Sequence, residues 1–540
     1  MKLLKDRKHN IVYLICYCLL SALFLSIVLH KGYTIIAYNT PKELREMNTV
    51  VFAHQFAHAN NPYSYAALNN STPPPTSIYG LIVPLLMSPF IHLFSLVHLN
   101  SLQACELLTL AVEVAGAVFF YRLLNRKTNH ILLSIIGTIL FYTCYWRYSA
   151  FGGAFPDQWG LSVTIILMDL LHLDEQKQQY RPFVYAACLI ILFYTKQYFV
   201  LVTAGLCIYL YIYSRKDLVR LIIYGAVMGC ASVVLVYILF PLYFTEVFPI
   251  AQGQTLTGDS SYSLNQIKKL SLYYGPIVLF AVIGIIRKGY GMIKNRRMRG
   301  IVTYELCQII LSIVPLYKIA ENQGTNYTYY LQLWYPYIIL FGVVSLSELV
   351  DTIIGYKDRI MSNSGKYRIT MISLVFIYIL TAYSVIRVLP SFRCTLMTRE
   401  QREAWNHAYD ILDRYSADGE ILVTMLLSEY CIENGIATSN YGQAEYNNAD
   451  NLKNYKDNKI WRNVFLFRHT EELLQSNISY NQMVKDNIYN QIYSCIAVVY
   501  AGEYHLKDDD FTDAGYHVIA TEELMSGDQC WYTTFYALTD

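Results

Sequence analysis

The sequence predicts a polytopic α-helical membrane protein of about eleven transmembrane helices, with juxtamembrane helices on the outer face and a small C-terminal α/β domain. Three observations predict it. Hydrophobic residues make up 54% of the 540 and charged residues only 15%, outside the range of soluble domains. Twelve long apolar segments recur between residues 11 and 388. Charge also divides the chain, because residues 1–390 carry 31 Lys+Arg against 17 Asp+Glu while residues 391–540 carry 11 against 23. The first part, 1–390, reads as the membrane domain, and the acidic remainder is long enough to fold as an extracytoplasmic soluble domain. No nucleic-acid partner is expected; the partners are membrane lipid and whatever the outer face binds.

The apolar segments run roughly 11–29, 78–97, 104–124, 131–146, 157–173, 182–194, 198–213, 219–240, 272–286, 301–319, 329–349 and 369–388. The first follows "MKLLKDRKHN" without a small-residue cleavage site and is read as a retained helix. If all twelve crossed the bilayer, basic connections would fall on alternating sides, against the positive-inside rule. Segment 78–97 is the one to set aside, because Pro84 and Pro89 interrupt it and "STPPPTS" precedes it. Laid on the outer surface, it leaves eleven crossings, a cytoplasmic N-terminus and 22 of the 31 basic residues inside.

This arrangement requires a break within 182–213, a run of 32 residues in which Lys196 is the only formal charge. A turn at Thr195-Lys196-Gln197 divides the run into two short helices and brings the ammonium to the outer face, which avoids most of the cost of a buried charge. The outer face then carries the loop 31–103, "RYSAFGGAFPD", the turn at Lys196, the loop 244–270, "ENQGTNYTYY" and the acidic tail. Any chemistry belongs there.

Several polar residues could carry it. In the first outer loop Glu43, Glu46, His54 and His58 stand out, but a zinc-protease reading fails because Gln55 occupies the place of the glutamate in H-E-x-x-H. Asp157 opens a helix behind Pro156, where a carboxylate complements the helix dipole. Glu106, Glu113 and Glu305 are intramembrane acids without an assigned role. Carboxylates and one ammonium on a common face suit deprotonation of a hydroxyl and stabilisation of a phosphate leaving group.

Eight of the twelve cysteines lie in apolar segments as small hydrophobes; Cys394, Cys431, Cys495 and Cys530 lie in the tail without CxxC spacing, which argues against zinc and leaves disulfides open. Within the tail, "REQREAWNHAYDILDRYS" has helical spacing, and "GEILVTML", "YSCIAVVYAG" and "YHVIATEEL" read as strands.

In order along the chain, Glu46 with fifteen residues between it and Pro62-Tyr63, the Pro-rich approach to a juxtamembrane helix, Phe155-Pro156-Asp157, Thr195-Lys196-Gln197 and "GTNYTYYLQ" resemble bacterial polytopic glycosyltransferases of the GT-C fold, relatives of the protein mannosyltransferase and aminoarabinose transferase families. The resemblance covers about residues 1–390. It implies transfer of a hexose or pentose from a polyprenyl-phosphate donor to a lipid or glycan hydroxyl at the outer face of the cell envelope, with inversion. Glu46 and Asp157 would be catalytic and the candidates for holding a divalent cation, magnesium or manganese. Lys196, Gln197 and Arg147 would bind the donor phosphate; Glu43, Tyr63, Asn326 and Tyr327 would line the substrate cleft. Two departures matter: the first-loop acid is Glu rather than Asp, leaving Glu43 as a rival base, and Phe155 stands where the family often has arginine. The alternatives are a transporter or lipid flippase, and a polysaccharide polymerase or ligase.

Overall fold

The computed structural model describes residues 7–42, 46–69, 80–147, 153–250, 260–295, 300–322, 334–359, 364–392, 396–423, 425–438, 448–499, 507–526 and 529–538. Glu43, Asn326, Tyr327 and Cys394 lie outside the described residues, as does the side chain of Arg147.

The membrane part comprises α1 (Arg7–Ala37), α2 (Glu46–Ala57), α3 (Ile82–Ser95), α4 (Ser101–Thr128), α5 (Ile131–Arg147), α6 (Pro156–Lys177), α7 (Pro182–Thr195), α8 (Leu201–Tyr213), α9 (Arg215–Leu239), the short α10 (Tyr243–Thr245), α11 (Ser260–Tyr274), α12 (Pro276–Asn295), α13 (Tyr304–Asn322), α14 (Tyr335–Arg359) and α15 (Ser364–Val388). All twelve apolar segments therefore contain a helix. Among the described residues, α1, α4, α9, α12 and α14 hold stretches long and apolar enough to cross a membrane, and the other apolar helices are shorter.

Helices α4, α5, α6 and α14 enclose the main core, with Phe120, Phe141, Tyr145, Ile165 and Leu340 almost wholly buried. The outward faces of α1, α9 and α15 stay apolar where they meet no protein, as Leu29, Val227, Ile238 and Ile372 show. Such a surface is what hydrocarbon tails would cover.

Helix α3 is the segment set aside by the charge argument. It has 14 residues with Pro89 inside it, and it packs against α2 and α4 through Val83, Met87 and Ile91. Its other face, with Leu86 and Leu93, is exposed and apolar. At 1.5 Å per residue, its length of about 21 Å falls short of a hydrocarbon layer of about 30 Å, as do those of α7 and α8.

After residue 396 come α16 (Arg399–Ser416), β1 (Glu420–Val423), α17 (Met425–Glu433), α18 (Asn448–Asp457), α19 (Lys459–Asn463), α20 (Thr470–Tyr489), β2 (Tyr493–Val498), α21 (Asp508–Asp513), β3 (Tyr516–Ser526) and β4 (Gln529–Leu538). The strands form one sheet in the order β1-β2-β4-β3, parallel between β1 and β2 and antiparallel elsewhere. The helix and three strands expected here are present; β4 is an addition. Cys431 and Cys495 are buried free thiols and Cys530 an exposed one.

This layer shares a core with α2, α3 and the start of α4. Trp405, Leu412, Leu426, Leu427 and Phe535 belong to one buried cluster with Met47, Val50, Met87, Leu102 and Cys105. A second cluster joins Phe52, Tyr63, Leu81 and Tyr243 to Tyr455, Leu473 and Leu474. Burial of this kind, at about 25 cal/mol per Å² of apolar surface, makes the layer a lid seated on α2, α3 and α4.

Candidate active site

The break at the C-terminal end of α7 holds a cation. Thr195 ends the helix, Lys196 is extended at φ −163° and ψ 132°, and a 3₁₀ turn runs over Gln197–Val200. Gly80, just before α3, fixes this bend from the side: its N–H donates to the Thr195 carbonyl at 3.1 Å, and a Cβ there would lie 2.0 Å from the Tyr194 carbonyl oxygen. Only glycine allows so close an approach.

From the bend, the Lys196 ammonium donates to both oxygens of Asp157, at 2.8 and 3.1 Å. The Tyr198 hydroxyl donates to the same carboxylate, and Lys196 lies 5.2 Å from the centre of the Tyr198 ring. The lysine side chain is 14% exposed and the aspartate 2%, so the pair is shielded yet open on the lysine side. Gln197 beside it is half-buried, and its Nε2 has no hydrogen-bond acceptor among the described residues.

Asp157 sits in the first turn of α6, one residue after Pro156. Glu46 opens α2 and is fully buried. Its Oε2 accepts from the backbone N–H of Ala154 at 2.7 Å, and its Oε1 from the N–H of Lys42. The acid of the first outer loop is thereby anchored three residues ahead of Asp157. Gly153 makes that anchoring possible, since a Cβ there would come within 2.2 Å of Glu46 Oε2. Gly153→Ala must push the carboxylate aside; a fall in turnover of about 100-fold is expected from a displacement of this size, measured as kcat with retained thermal stability.

The structure thus joins Asp157 to Lys196 and ties Glu46 to the backbone three residues ahead of Asp157. Tyr63 is enclosed by Phe52, Phe56, Phe240 and Tyr243, and its carbonyl accepts from the Leu242 N–H at 3.1 Å, so it serves packing there. Arg147 ends α5. Asp157 is paired with the Lys196 ammonium, and among the described residues no three His, Cys, Asp or Glu groups are disposed to hold a metal ion. His54 and His58 stack at 4.2 Å, with His58 Nδ1 bonded to the His54 carbonyl rather than directed to a shared ligand.

Sequence reasoning missed Tyr198, whose phenol nothing in "TKQY" distinguishes from the chain's 49 other tyrosines. It also missed the contribution of the tail. Helix α17 seats on α2 and on the start of α4, where the Ser101 hydroxyl donates to Glu433 at 2.5 Å and His54 Nδ1 lies 2.8 Å from that hydroxyl. Burial pushes the Glu433 carboxyl up, but hydrogen bonds from His54 and Ser101 outweigh it and hold the group below its ordinary value. Glu429, one turn earlier, goes the other way: burial, then the charge of Glu433, push it up to about 8, with Glu46 adding to the rise and the Leu102 N–H opposing it.

A carboxyl raised on folding is protonated when folded and ionised when unfolded between the two values. Its contribution is therefore complete below the ordinary 4.5 and is lost as pH rises through about 8. Thermal unfolding should show stability falling across this window by up to roughly 1.4 kcal/mol per pH unit, and Glu429→Gln should flatten the slope.

No protein-family model matches the chain, and no curated protein matches it. Solved structures do resemble it. ArnT from Cupriavidus metallidurans, solved bound to undecaprenyl phosphate, is 12% identical with a TM-score of 0.49, covering 96% of this chain and 97% of that one. The oligosaccharyltransferase of Archaeoglobus fulgidus in its apo form is 11% identical with a TM-score of 0.48, covering 94% and 74%. The arabinofuranosyltransferase AftD from Mycobacteria is 11% identical with a TM-score of 0.45, covering 93% and 40%. All three are GT-C glycosyltransferases, the class the sequence motifs resemble. At TM-scores below 0.5 the likeness carries no argument about function, which rests on the side chains above.

Proposed function

We propose that the chain transfers a sugar from a polyprenyl-phosphate donor to a hydroxyl acceptor at the outer face of the membrane, inverting the anomeric centre. The observation that carries this reading is the Lys196 ammonium, fixed by Asp157 at a break between two apolar helices. A membrane chain holds a cation at such a place for an anion that arrives on a lipid. The N-terminus would be cytoplasmic and the sheet layer extracytoplasmic.

In this mechanism Glu46 takes the proton of the acceptor hydroxyl as its oxygen attacks the anomeric carbon. The bond from that carbon to the phosphate oxygen breaks, and the oxygen keeps the electron pair. Charge grows on the departing phosphate where Lys196 and Gln197 can meet it, in a site with little water to weaken the interaction. Asp157 acts through Lys196: with Tyr198 it holds the ammonium in place, and it does not compete as a base.

The test is transfer of radiolabel from a polyprenyl-phosphate sugar in membranes containing the wild-type chain, Glu46→Gln or Lys196→Ala, each checked for insertion. Transfer by the wild type and its loss in both variants support the reading. Movement of the lipid across the bilayer without cleavage of its sugar would instead identify a transporter.

A further inference from the structure

Helix α6 begins against a buried polar chain that the transfer mechanism does not use. Lys31 on α1 is 3% exposed, and its ammonium donates to both oxygens of Glu113 on α4 at 2.8 and 2.9 Å. Glu113 is fully buried and also accepts from the Tyr142 hydroxyl at 3.2 Å and from Gln158 Nε2 at 3.0 Å. Gln158, fully buried as well, accepts the Phe155 backbone N–H through its Oε1 at 2.9 Å. That N–H belongs to the residue capping α6, two positions before Asp157. The side chain next to Asp157 therefore links an ion pair on two neighbouring helices to the start of the helix that carries the aspartate.

Only an amide fits both ends of this link. Its nitrogen must donate to a carboxylate and its oxygen must accept a backbone N–H, so glutamate would set two carboxylates against each other and leucine would leave both partners unsatisfied. We infer that Gln158 is a positioning residue for sugar transfer: by tying the Lys31–Glu113 pair to the first turn of α6, it sets Asp157 and, through Asp157, the Lys196 ammonium. This rests on the proposed transfer reaction. The ion pair thus fixes where the phosphate-facing cation points, although neither of its members touches substrate.

The inference is tested with the full-length protein in detergent or nanodiscs, by steady-state transfer, thermal unfolding and amide hydrogen exchange of the segment 153–160. Gln158→Leu should lower kcat by about 10- to 100-fold with KM for the lipid-linked donor unchanged, because a misplaced group costs rate rather than ground-state binding. Exchange at 155–157 should quicken. Gln158→Glu, which sets a second carboxylate against Glu113, should lose rate as Gln158→Leu does. The double variant Lys31→Leu/Glu113→Leu removes the charges together, so it should fold and still lose rate as Gln158→Leu does.

Wild-type kcat in Gln158→Leu, or in Lys31→Leu/Glu113→Leu when it is folded, would overturn the inference. If the wild type itself transfers no sugar, the transfer reading fails separately, and unchanged exchange at 155–157 in Gln158→Leu then refutes the positioning claim by itself.

Discussion

Replacing Lys196 with methionine is expected to abolish transfer and to destabilise the protein at once. Asp157 would keep only the Tyr198 hydroxyl as a partner while remaining buried, and breaking such a pair from one side costs about 3–5 kcal/mol because an uncompensated charge is left behind. The rate should fall by a further factor of about 10²–10³ from loss of the charge that meets the leaving phosphate. The two effects separate in the double variant Asp157→Asn/Lys196→Met. Its thermal midpoint should return toward that of the wild type, since no lone charge remains, while transfer stays absent. Recovery of both would mean that the pair is structural.

Glu46→Gln carries the second large effect. The carboxylate accepts one backbone N–H at each oxygen, from Lys42 and from Ala154. An amide offers one acceptor and sets its NH₂ against the other N–H, at a cost of about 1–3 kcal/mol. Loss of the base should reduce kcat by about 10²–10⁴, well beyond what this local strain would cause. Glu46→Asp distinguishes base from anchor. The shorter arm draws back from Ala154 but keeps a carboxylate, so a base should retain measurable turnover and an anchor should lose stability as Gln does. Initial rates and thermal midpoints measured together decide between them.

Much of the architecture could be read from the sequence because a bilayer imposes length and charge rules that act locally. A run of 32 residues with one charge exceeds a single span, which placed the break at Lys196, and the structure has α7 end at Thr195. Prolines marked the segment of α3, which forms a helix of only 14 residues. The topology argument could put Asp157 and Lys196 on one face, but not 2.8 Å apart, because their 39-residue separation in sequence carries no distance. Strand β4 contains Trp531, Tyr532, Thr533, Thr534, Phe535 and Tyr536, all strand-forming types but without the alternation that marks a half-buried strand. The contacts of Glu433 with Ser101 and of Gln158 with Glu113 depend on helix packing, and a glutamate or glutamine in a helix has no periodic signature of its own.

The most direct measurement of the central claim is the affinity of the purified protein for undecaprenyl phosphate, compared with the unphosphorylated alcohol, in wild type, Lys196→Met, the Asp157→Asn/Lys196→Met double variant and Glu46→Gln. The account predicts preference for the phosphate in the wild type and in Glu46→Gln, and its loss by about tenfold or more wherever Lys196 is removed. Equal affinity for phosphate and alcohol in the wild type, or an undiminished preference in the folded double variant, would contradict it.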